Sequence, residues 1–512
     1  MKPTDRSTAA EYALGPAIAA SPQARLARGT VLVMAAEALA FPAGLVVTIL
    51  LTRYLTPAEY GALALALAGT AWLEWTVVSL FSRAAWKLIA EADYWPAVAT
   101  AVVRTFFLAS LPVALLVFAA AGFAATALRI PPLEPVLRVL ACEIPIFVTA
   151  HGYRTVLIGR GLHGSRAAVT AVRWTARALL IAVGTLLGVP LIGIAALIVA
   201  ATTVELTIVR WRAMSTRSTA HPTTGRGANK PLTMSGLVAY AAPLAVSAIC
   251  LRLFERMDIF ALRVLGGSID SVAAYGVAQN LALGPGLFGA AFTPALIAAM
   301  SYRLARGDDG GARQLSRDAL RAGFFMVPLT LLTAGAAPEL IALLFGPAYA
   351  AAAPLFALLL VGAAGILLIA LAGGVLVAAG QLRWTVILTA PLLLVGGIAH
   401  LVLIPRMGAI GAATVTAGTA IVGAAAACAA AWHLLGAGIP LATMLRGILL
   451  GSAAGWVAST WHVTGYAVLA ALAALAVILA AAICLTGELR AEERARLKRW
   501  TRALLRPATV VP

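Results

Sequence analysis

Charged residues are scarce in this sequence of 512 residues: Asp, Glu, Lys and Arg together make up 11% of it, and hydrophobic residues make up 62%. A water-soluble chain of this length needs more polar surface than such a composition supplies. Apolar runs of about 20 residues recur from end to end, and each is long enough to cross a membrane. The composition predicts an all-α polytopic membrane protein, and the continuous, non-alternating runs exclude a β-barrel.

Cysteine and histidine are also rare. The four cysteines, Cys142, Cys250, Cys428 and Cys484, all fall inside apolar runs, without paired spacing and without histidine partners. This pattern is typical of small core residues and not of disulfides or metal ligands. The six histidines are scattered. We therefore predict no metal site and no pair of a nucleophile with a general base.

Motifs for enzymatic work are missing as well. The sequence contains no G-x-x-x-x-G-K-[ST] phosphate loop, so hydrolysis of ATP within this chain is not expected. Asp308 and Asp309 precede two glycines, a pattern that predicts a turn and not the metal site of a glycosyltransferase. The loops predicted on the outer side are too short for a catalytic domain. We expect no enzymatic activity and no cofactor apart from a coupling ion, H⁺ or Na⁺. The first 29 residues lack the short apolar core of a signal peptide.

Fourteen membrane spans are predicted. They lie at about 30–52, 58–81, 97–121, 133–157, 167–187, 190–210, 235–262, 271–300, 321–345, 350–379, 384–405, 409–434, 440–460 and 465–486. Most of the 38 Lys and Arg residues fall in the two tails and in alternate loops. The positive-inside rule then places both termini in the cytoplasm. The rule also accounts for the net charge of +18, so no nucleic-acid partner is expected.

The order of the spans divides the chain into parts. A polar, basic linker rich in Ser, Thr and Gly separates two groups of six spans. We expect an amphipathic surface helix at 301–320 and another, held by anionic lipid, in the basic tail. The predicted parts are a cytoplasmic segment (1–29), a first lobe (30–210), the linker (211–234), a second lobe (235–436), two further helices (437–486) and the tail (487–512).

A short internal repeat supports this division. The stretch LLTRYLTPAEYGALALA at 50–66 resembles FALRVLGGSIDSVAAYGVAQNLA at 260–282, because each has Arg-x-Leu at the outer end of a span and Tyr-Gly at the start of the next helix. The matching residues are Arg53, Leu55, Tyr60 and Gly61 in the first copy and Arg263, Leu265, Tyr275 and Gly276 in the second. A parallel repeat predicts two pseudo-symmetric lobes with a site between them.

Ionisable residues inside the spans are the candidates for function, since they are costly in hydrocarbon unless they are paired or hydrated. In the first lobe these are Glu37, Glu74, Arg104, Arg138, Glu143, Arg173, Arg177 and Glu205, and in the seventh span they are Arg252, Glu255, Arg256 and Asp258. Helical spacing places Arg166, Arg173 and Arg177 on one face, and Arg252, Arg256 and Arg263 on another. The charges in each set cancel, so a network of structural ion pairs is the alternative to a hydrated cavity.

Two roles are assigned on this basis. Guanidinium groups bind phosphate through two hydrogen bonds and stay charged, which favours an anionic ligand. The predicted substrate-binding residues are Arg104, Arg173, Arg177, Arg252 and Arg256. The predicted ion-coupling residues are Glu37, Glu74, Glu255 and Asp258, each of which has the role of a counter-ion as its alternative.

Four stretches resemble the polysaccharide-transporter branch of the MOP exporter superfamily, the Wzx-type flippases. These are TRYLTPAEYGALALA in the first hairpin, the segment from Asp258 to Ala278, LFGPAY at 344–349 and LIPRMGAIGAA at 403–413. The resemblance implies a two-lobed transporter in the bacterial inner membrane that works by alternating access. Its substrate would be an undecaprenyl-diphosphate-linked oligosaccharide, and its partners would be membrane lipids and the polymerase and glycosyltransferases of the same pathway.

The two helices after residue 437 depart from the twelve spans that are commoner in this branch. Fourteen spans are typical of the related lipid II flippases of the MurJ type, which remain the closest alternative. A MATE-type drug or cation antiporter of the same fold is the third possibility, but it would require a cavity lined by carboxylates.

Overall fold

The computed structural model describes residues 39–91, 95–160, 162–215, 234–461 and 463–486, and within these ranges it contains helices and no β-strand. Glu37, most of the predicted linker and the predicted basic tail lie outside the described residues. The α-helices are α1 (Ala40–Tyr54), α2 (Pro57–Glu91), α3 (Trp95–Ala127), α4 (Leu133–Ala141), α5 (Glu143–Gly159), α6 (His163–Leu186), α7 (Leu191–Ser215), α8 (Met234–Val264), α9 (Ile269–Leu281), α10 (Gly284–Leu304), α11 (Asp309–Phe324), α12 (Met326–Gly335), α13 (Ala337–Phe345), α14 (Ala352–Ala378), α15 (Leu382–Leu435), α16 (Leu441–Ser459) and α17 (Ala467–Leu485).

Each of the fourteen predicted spans overlaps a helix of the described chain, and residues 30–38 of the first span lie outside the described residues. Nine helical segments there are long and apolar enough to cross a membrane by themselves, and α11–α13 form a tenth span that is bent by 68°. Helix α15 contains two of the predicted spans. The remaining three are α1, the interrupted pair α4 and α5, and the charged helix α8. The prediction of an all-α membrane protein with about fourteen spans is confirmed.

Helix α15 is a hairpin of two spans. Its backbone leaves the helical conformation at Gly408, where φ is 57° and ψ is −135°, a combination that L side chains rarely adopt. A Cβ on Gly423 would lie 2.6 Å from a methyl group of Leu392. These two residues are almost equally distant from Gly408 in sequence, so the two halves run antiparallel. The turn lies within the LIPRMGAIGAA stretch, where the sequence predicts it.

The segment 301–320 differs from its prediction as a separate surface helix. Helix α10 continues to Leu304, a turn follows, and α11 begins after Asp308, whose side chain accepts a hydrogen bond from the amide of Gly311 at 2.8 Å. Helix α11 then leads directly into α12, so that it forms the first part of the ninth span. Its polar face produced the surface-helix prediction, but polar residues at the start of a span give the same pattern.

The loops alternate between two ends of the bundle, which we call the predicted outer and predicted inner ends according to the orientation inferred from sequence. One hydrophobic cluster contains residues of both lobes, including Leu51 and Tyr60 of the first and Leu262 and Tyr275 of the second. Two further clusters each belong to a single lobe. The lobes thus share one core near the predicted outer end and have separate cores elsewhere. Helices α16 and α17 pack beside α12 through a fourth cluster.

Candidate functional site

The two lobes meet where α2 of the first lobe crosses α8 and α9 of the second. Near the predicted outer end the backbones approach closely, because a Cβ on Gly61 would lie 2.7 Å from the carbonyl oxygen of Ile269. A Cβ on Gly276 would lie 3.0 Å from the Cβ of Ala64. Both glycines belong to the internal repeat. In each copy of the repeat, the glycine lacks a side chain and so allows the helix of the other lobe to approach closely.

This contact continues inward to the middle of the bundle. A Cβ on Gly69 would lie 3.3 Å from the ring of Phe260. Further in, the guanidinium carbon of Arg252 lies 5.4 Å from the ring centroid of Trp75. Trp75 follows the start of α2 at Pro57 by 18 residues, about 27 Å. Inward of the Trp75–Arg252 contact the lobes have separate cores, and we call the space between them the central cleft.

At the predicted outer end, one arginine of each lobe donates hydrogen bonds to backbone carbonyls of the other lobe. Arg53 of the first lobe donates to the carbonyl oxygen of Leu343 at 3.3 Å, and Leu343 lies in the last turn of the second lobe's third span. Arg263 of the second lobe donates through Nε to the carbonyl oxygen of Leu128 at 2.8 Å and through Nη2 to that of Arg129 at 3.2 Å. Leu128 follows the first lobe's third span. Each lobe therefore provides one arginine and one helix end.

The repeated tyrosines are both buried in the core that the two lobes share. The Tyr60 hydroxyl accepts a hydrogen bond from the side-chain amide of Asn280, on α9 of the second lobe, at 3.2 Å. The Tyr275 hydroxyl donates to Asp258 of its own lobe at 2.6 Å. The reciprocal arginine contacts follow the repeat, which confirms that the lobes are pseudo-symmetric.

The charges of α8 face in two directions. Arg252, whose side chain is 50% exposed, donates to Glu255 one helical turn away at 3.1 Å. Arg256 donates to the side-chain oxygen of Gln279 on α9 at 2.9 Å. Arg252 thus shares its charge with Glu255, whereas Arg256 has no carboxylate at ion-pair distance among the described residues. Both arginines are carried by the part of α8 that borders the central cleft.

Asp258 is instead enclosed in a junction of three helices, and its side chain is fully buried. One carboxylate oxygen accepts a hydrogen bond from the backbone amide of the next residue, Ile259, at 2.8 Å. The other accepts from Tyr275 and, at 3.2 Å, from the hydroxyl of Thr416 on α15. The side-chain amide of Gln279 approaches both oxygens at 3.3 and 3.5 Å. This geometry holds α8, α9 and α15 together. The role of Asp258 in ion coupling stays a prediction.

We expect Asp258→Ala to destabilise the protein by about 3 kcal/mol, because the buried hydroxyl of Tyr275 loses its acceptor. The variant should unfold at a clearly lower temperature in detergent, which a thermal unfolding curve measures. Glu255→Ala on the same helix is the matched control, since its partner Arg252 is half exposed and little change is expected. Equal unfolding temperatures for the two variants would contradict the structural role of Asp258.

A second group of charges lies inside the first lobe. The fully buried Glu205 on α7 lies between two arginines, with Nε of Arg154 3.2 Å from one carboxylate oxygen and Nε of Arg173 3.3 Å from the other. Glu143 on α5 accepts from the hydroxyl of Thr202 at 2.7 Å. Arg173, which the sequence predicts to bind substrate, is therefore an internal partner of Glu205 in this conformation. This pairing corresponds to the alternative prediction, a network of structural ion pairs.

Glu74 and Arg177 complete this group without a direct partner. Oε1 of Glu74 is buried and has no hydrogen bond within the described chain, and the side chain is 5% exposed. The charges that act on it are those of Glu143, Arg173, Arg177 and Glu205. Arg177 is influenced by Glu143, Arg173 and Glu74 but forms no ion pair with them. A carboxylate and a guanidinium thus lie in the same group without being paired.

Arg104 lies apart from the other predicted site residues. It is exposed on α3 beside Phe107, Leu108 and Leu111, which are 40–49% exposed. This is the face of α3 opposite to Val102 and Phe106, which are buried in the core of the lobe. The five predicted substrate-binding arginines therefore do not form one cluster: Arg173 and Arg177 lie together in the first lobe, Arg252 and Arg256 lie together on α8, and Arg104 joins neither pair.

Sequence reasoning also missed several residues of the site. Arg154 falls within the predicted span 133–157, and a complete count of charges would have found it. Gln279, Thr416 and Trp75 are uncharged, and their roles follow only from the crossing of helices that are distant in sequence. No pattern within a single span would have selected them.

Comparison with known proteins agrees with this architecture. The family described as "Polysaccharide biosynthesis protein" matches residues 50–354, which is more than half of the chain. No curated protein matches the sequence.

Solved structures of membrane transporters share the fold. The structure of the lipid II flippase MurJ in an inward closed conformation superposes with a TM-score of 0.70 at 12% identity, covering 93% of this chain and 100% of that one. A Vibrio cholerae MATE transporter, VcmN, gives a TM-score of 0.57 at 16% identity over 80% of this chain and 96% of that one. A MOP superfamily transporter from Pyrococcus furiosus gives 0.54 at 16% identity over 85% and 97%. At these identities the likeness establishes the fold.

Proposed function

The chain belongs to the polysaccharide biosynthesis protein family, and on that premise we propose that it flips an undecaprenyl-diphosphate-linked oligosaccharide across the bacterial inner membrane. Transport proceeds from the cytoplasmic to the periplasmic leaflet by alternating access. Both termini are cytoplasmic. The substrate implies glycosyltransferases that supply it on the inner face and a polymerase that receives it on the outer face.

The observation that carries the proposal is the placement of arginines at the central cleft. Arg252 and Arg256 lie on α8 where the contact between the lobes ends, and the half-exposed Arg252 also covers Trp75 of the opposite lobe. A diphosphate presents oxygens on two phosphorus atoms, which suits two guanidinium groups one helical turn apart. The cationic groups of the cleft favour an anionic ligand over the cationic compounds that a drug antiporter exports.

The transport cycle follows from where the lobes touch. The contacts from Gly61–Ile269 to Trp75–Arg252 close the predicted outer half, so the headgroup enters the central cleft from the inner leaflet. Binding of the diphosphate competes with the Arg252–Trp75 contact at the inner limit of this seal. Separation of the outer contacts then exposes the headgroup to the opposite side. The polyprenyl chain stays in the hydrocarbon throughout.

Glu74 supplies the coupling to a proton gradient. It is buried, lacks a hydrogen bond on Oε1 and lies among Glu143, Glu205, Arg173 and Arg177. Binding or loss of a proton there changes the net charge of the first lobe's ionic group by one, which alters the electrostatic field that acts on Arg177. A buried carboxylate that lacks a fixed partner suits this role better than Asp258, whose oxygens are all engaged.

We expect Glu74→Gln to abolish transport driven by a pH gradient, because glutamine cannot bind or release a proton at that position. The measurement compares reconstituted vesicles with and without an imposed gradient. Glu134→Gln is the control, since that carboxylate forms an exposed pair with Arg138 at the predicted outer end. Gradient-driven transport at the wild-type rate in the Glu74 variant would refute the assignment.

A lipid II flippase is the second candidate, and a specific observation favours it. The chain has fourteen spans and covers the full length of the MurJ structure. Lipid II shares the polyprenyl diphosphate, so the arginines at the cleft serve either substrate. The two candidates differ in the glycan and not in the chemistry of the charged group.

Lipid analysis of a strain that lacks the gene tests the proposal. Accumulation of a diphosphate-linked glycan on the inner leaflet is expected, and the sugars in that lipid decide between an exported polysaccharide and lipid II. Unchanged glycolipid pools combined with increased sensitivity to cationic dyes would overturn the proposal in favour of a drug antiporter.

A further inference from the structure

A pocket of about 280 Å³ opens on the first lobe, away from the contact between the lobes. It lies between α3, α5 and α7. Its lining consists of Ala99, Thr100, Val103, Arg104, Phe107, Thr149, Tyr153 and Met214. The transport cycle described above does not use this pocket, because none of these residues contributes to the contact between the lobes.

The surroundings place the pocket at the membrane surface. Helix α3 continues outward from it with Leu108, Leu111 and Leu115 exposed, the last of them to 70%. Exposed leucines in consecutive turns require a hydrocarbon environment. Met214 lies in the last turn of α7, and the exposed Trp211 is in the same turn. Tryptophan is typical of the boundary between hydrocarbon and headgroups, so the pocket lies at the headgroup level of the predicted inner leaflet.

The polar groups of the pocket can donate hydrogen bonds to an anion. Arg104 forms no ion pair with any described residue, although it lies on a largely apolar helix face. The hydroxyls of Thr100 and Thr149 already donate to backbone carbonyls of their own helices, at 2.9 and 2.6 Å. The phenol of Tyr153 also lines the pocket and has no hydrogen-bond partner among the described residues. The exposed Arg210 lies one helical turn before Met214 and adds positive charge at the rim.

We propose that this pocket binds the phosphate of an anionic glycerophospholipid from the inner leaflet. Arg104 and Tyr153 donate to the phosphate oxygens, and the acyl chains lie along the exposed leucines of α3. An unpaired guanidinium at the edge of the hydrocarbon is costly, and a lipid phosphate is the counter-ion that the headgroup region always supplies. The proposal is independent of the transported substrate, since the pocket lies on the lipid-facing surface of the first lobe and not at the central cleft.

Lipid retention by the purified full-length protein tests this site. Native mass spectrometry in detergent is used to count bound phosphatidylglycerol and phosphatidylcholine, added separately, with inorganic phosphate as a third probe. The wild type is expected to retain phosphatidylglycerol preferentially, and Arg104→Gln to weaken this retention about tenfold, as expected for the loss of one charge-assisted hydrogen bond. Tyr153→Phe should reduce it less, because it removes a neutral donor.

Arg138→Gln is the matched control, because Arg138 is a half-exposed arginine of the same lobe that already pairs with Glu134 at 2.7 Å. It should retain lipid as the wild type does. Equal retention by the Arg104 and Arg138 variants, with both unfolding at the wild-type temperature, would overturn the proposal. Retention of both lipids alike would also overturn it, as would displacement of phosphatidylglycerol by inorganic phosphate alone, which would indicate a site for the free ion.

Discussion

Vesicles that carry the double variant Arg252→Gln, Arg256→Gln are expected to flip a polyprenyl-diphosphate glycan at least about a hundredfold more slowly than vesicles with the wild type. Each substitution removes one charge-assisted interaction with the diphosphate, worth about 1.5–3 kcal/mol, and the two losses multiply in the rate. Glutamine retains hydrogen-bonding capacity and most of the side-chain length, so the loss reports charge and the geometry of the guanidinium.

Folding of the double variant is expected to be near normal. Arg252 is half exposed, and its ion pair within the described chain is with its helical neighbour Glu255. Gln279 retains Asp258 as a partner when Arg256 is replaced. A thermal unfolding curve checks this point. Arg303→Gln, which removes a partly exposed arginine of the second lobe that lies 3.8 Å from Asp308, is the control and should leave flipping unchanged. A double variant that folds and flips at the wild-type rate would refute the role of α8.

A disulfide across the predicted outer seal is expected to stop transport completely, and reduction is expected to restore it. A Cβ on Gly276 would lie 3.0 Å from the Cβ of Ala64, and a small shift brings the pair into the disulfide range of 3.5–4.5 Å. The Ala64→Cys, Gly276→Cys variant, made in a background without the four native cysteines, joins the two copies of the repeat. Alternating access requires these helices to separate in every cycle, whereas a static pore does not.

A disulfide within one lobe provides the matched control. A Cβ on Gly289 of α10 would lie 3.9 Å from the Cβ of Ala370 on α14, and both helices belong to the second lobe. Gly289→Cys with Ala370→Cys should form the bond and leave flipping intact, since each lobe moves as a unit. Transport that persists through the cross-lobe disulfide, confirmed as oxidised by mass, would contradict opening at the predicted outer end.

The spans and the two-lobed architecture follow from sequence because hydrophobic length and the repeat are local signals. Gly408 illustrates this: a glycine between two apolar runs predicted the turn of the α15 hairpin, and the structure places the turn there. The extent of α11 was not predictable in the same way. The sequence pattern of its polar face is the same whether the helix lies on the membrane surface or forms the start of a span. Only the continuation of α11 into α12, seen in the structure, shows that it starts a span.

The partners of the charged residues could not be predicted from the same signals. Helical spacing establishes that Arg173 and Arg177 share a face, but the rotation of that face toward Glu205 depends on how α6 packs against α7. The same limit applies to Arg104, which lies in an apolar run like the others but on the face opposite to the core. The arginines of α8 are different, because the repeat places this helix at the contact between the lobes.

The flippase proposal is tested most directly by transport with the purified protein alone. Vesicles are prepared with a fluorescent polyprenyl-diphosphate oligosaccharide in both leaflets, and a membrane-impermeant reagent that modifies the glycan reports the fraction exposed outside. With the wild-type protein and a pH gradient, nearly all of the lipid should become accessible, and protein-free vesicles should expose only their outer leaflet. An accessible fraction that is the same with and without the protein, for both an exported-type oligosaccharide and lipid II, would contradict the proposal.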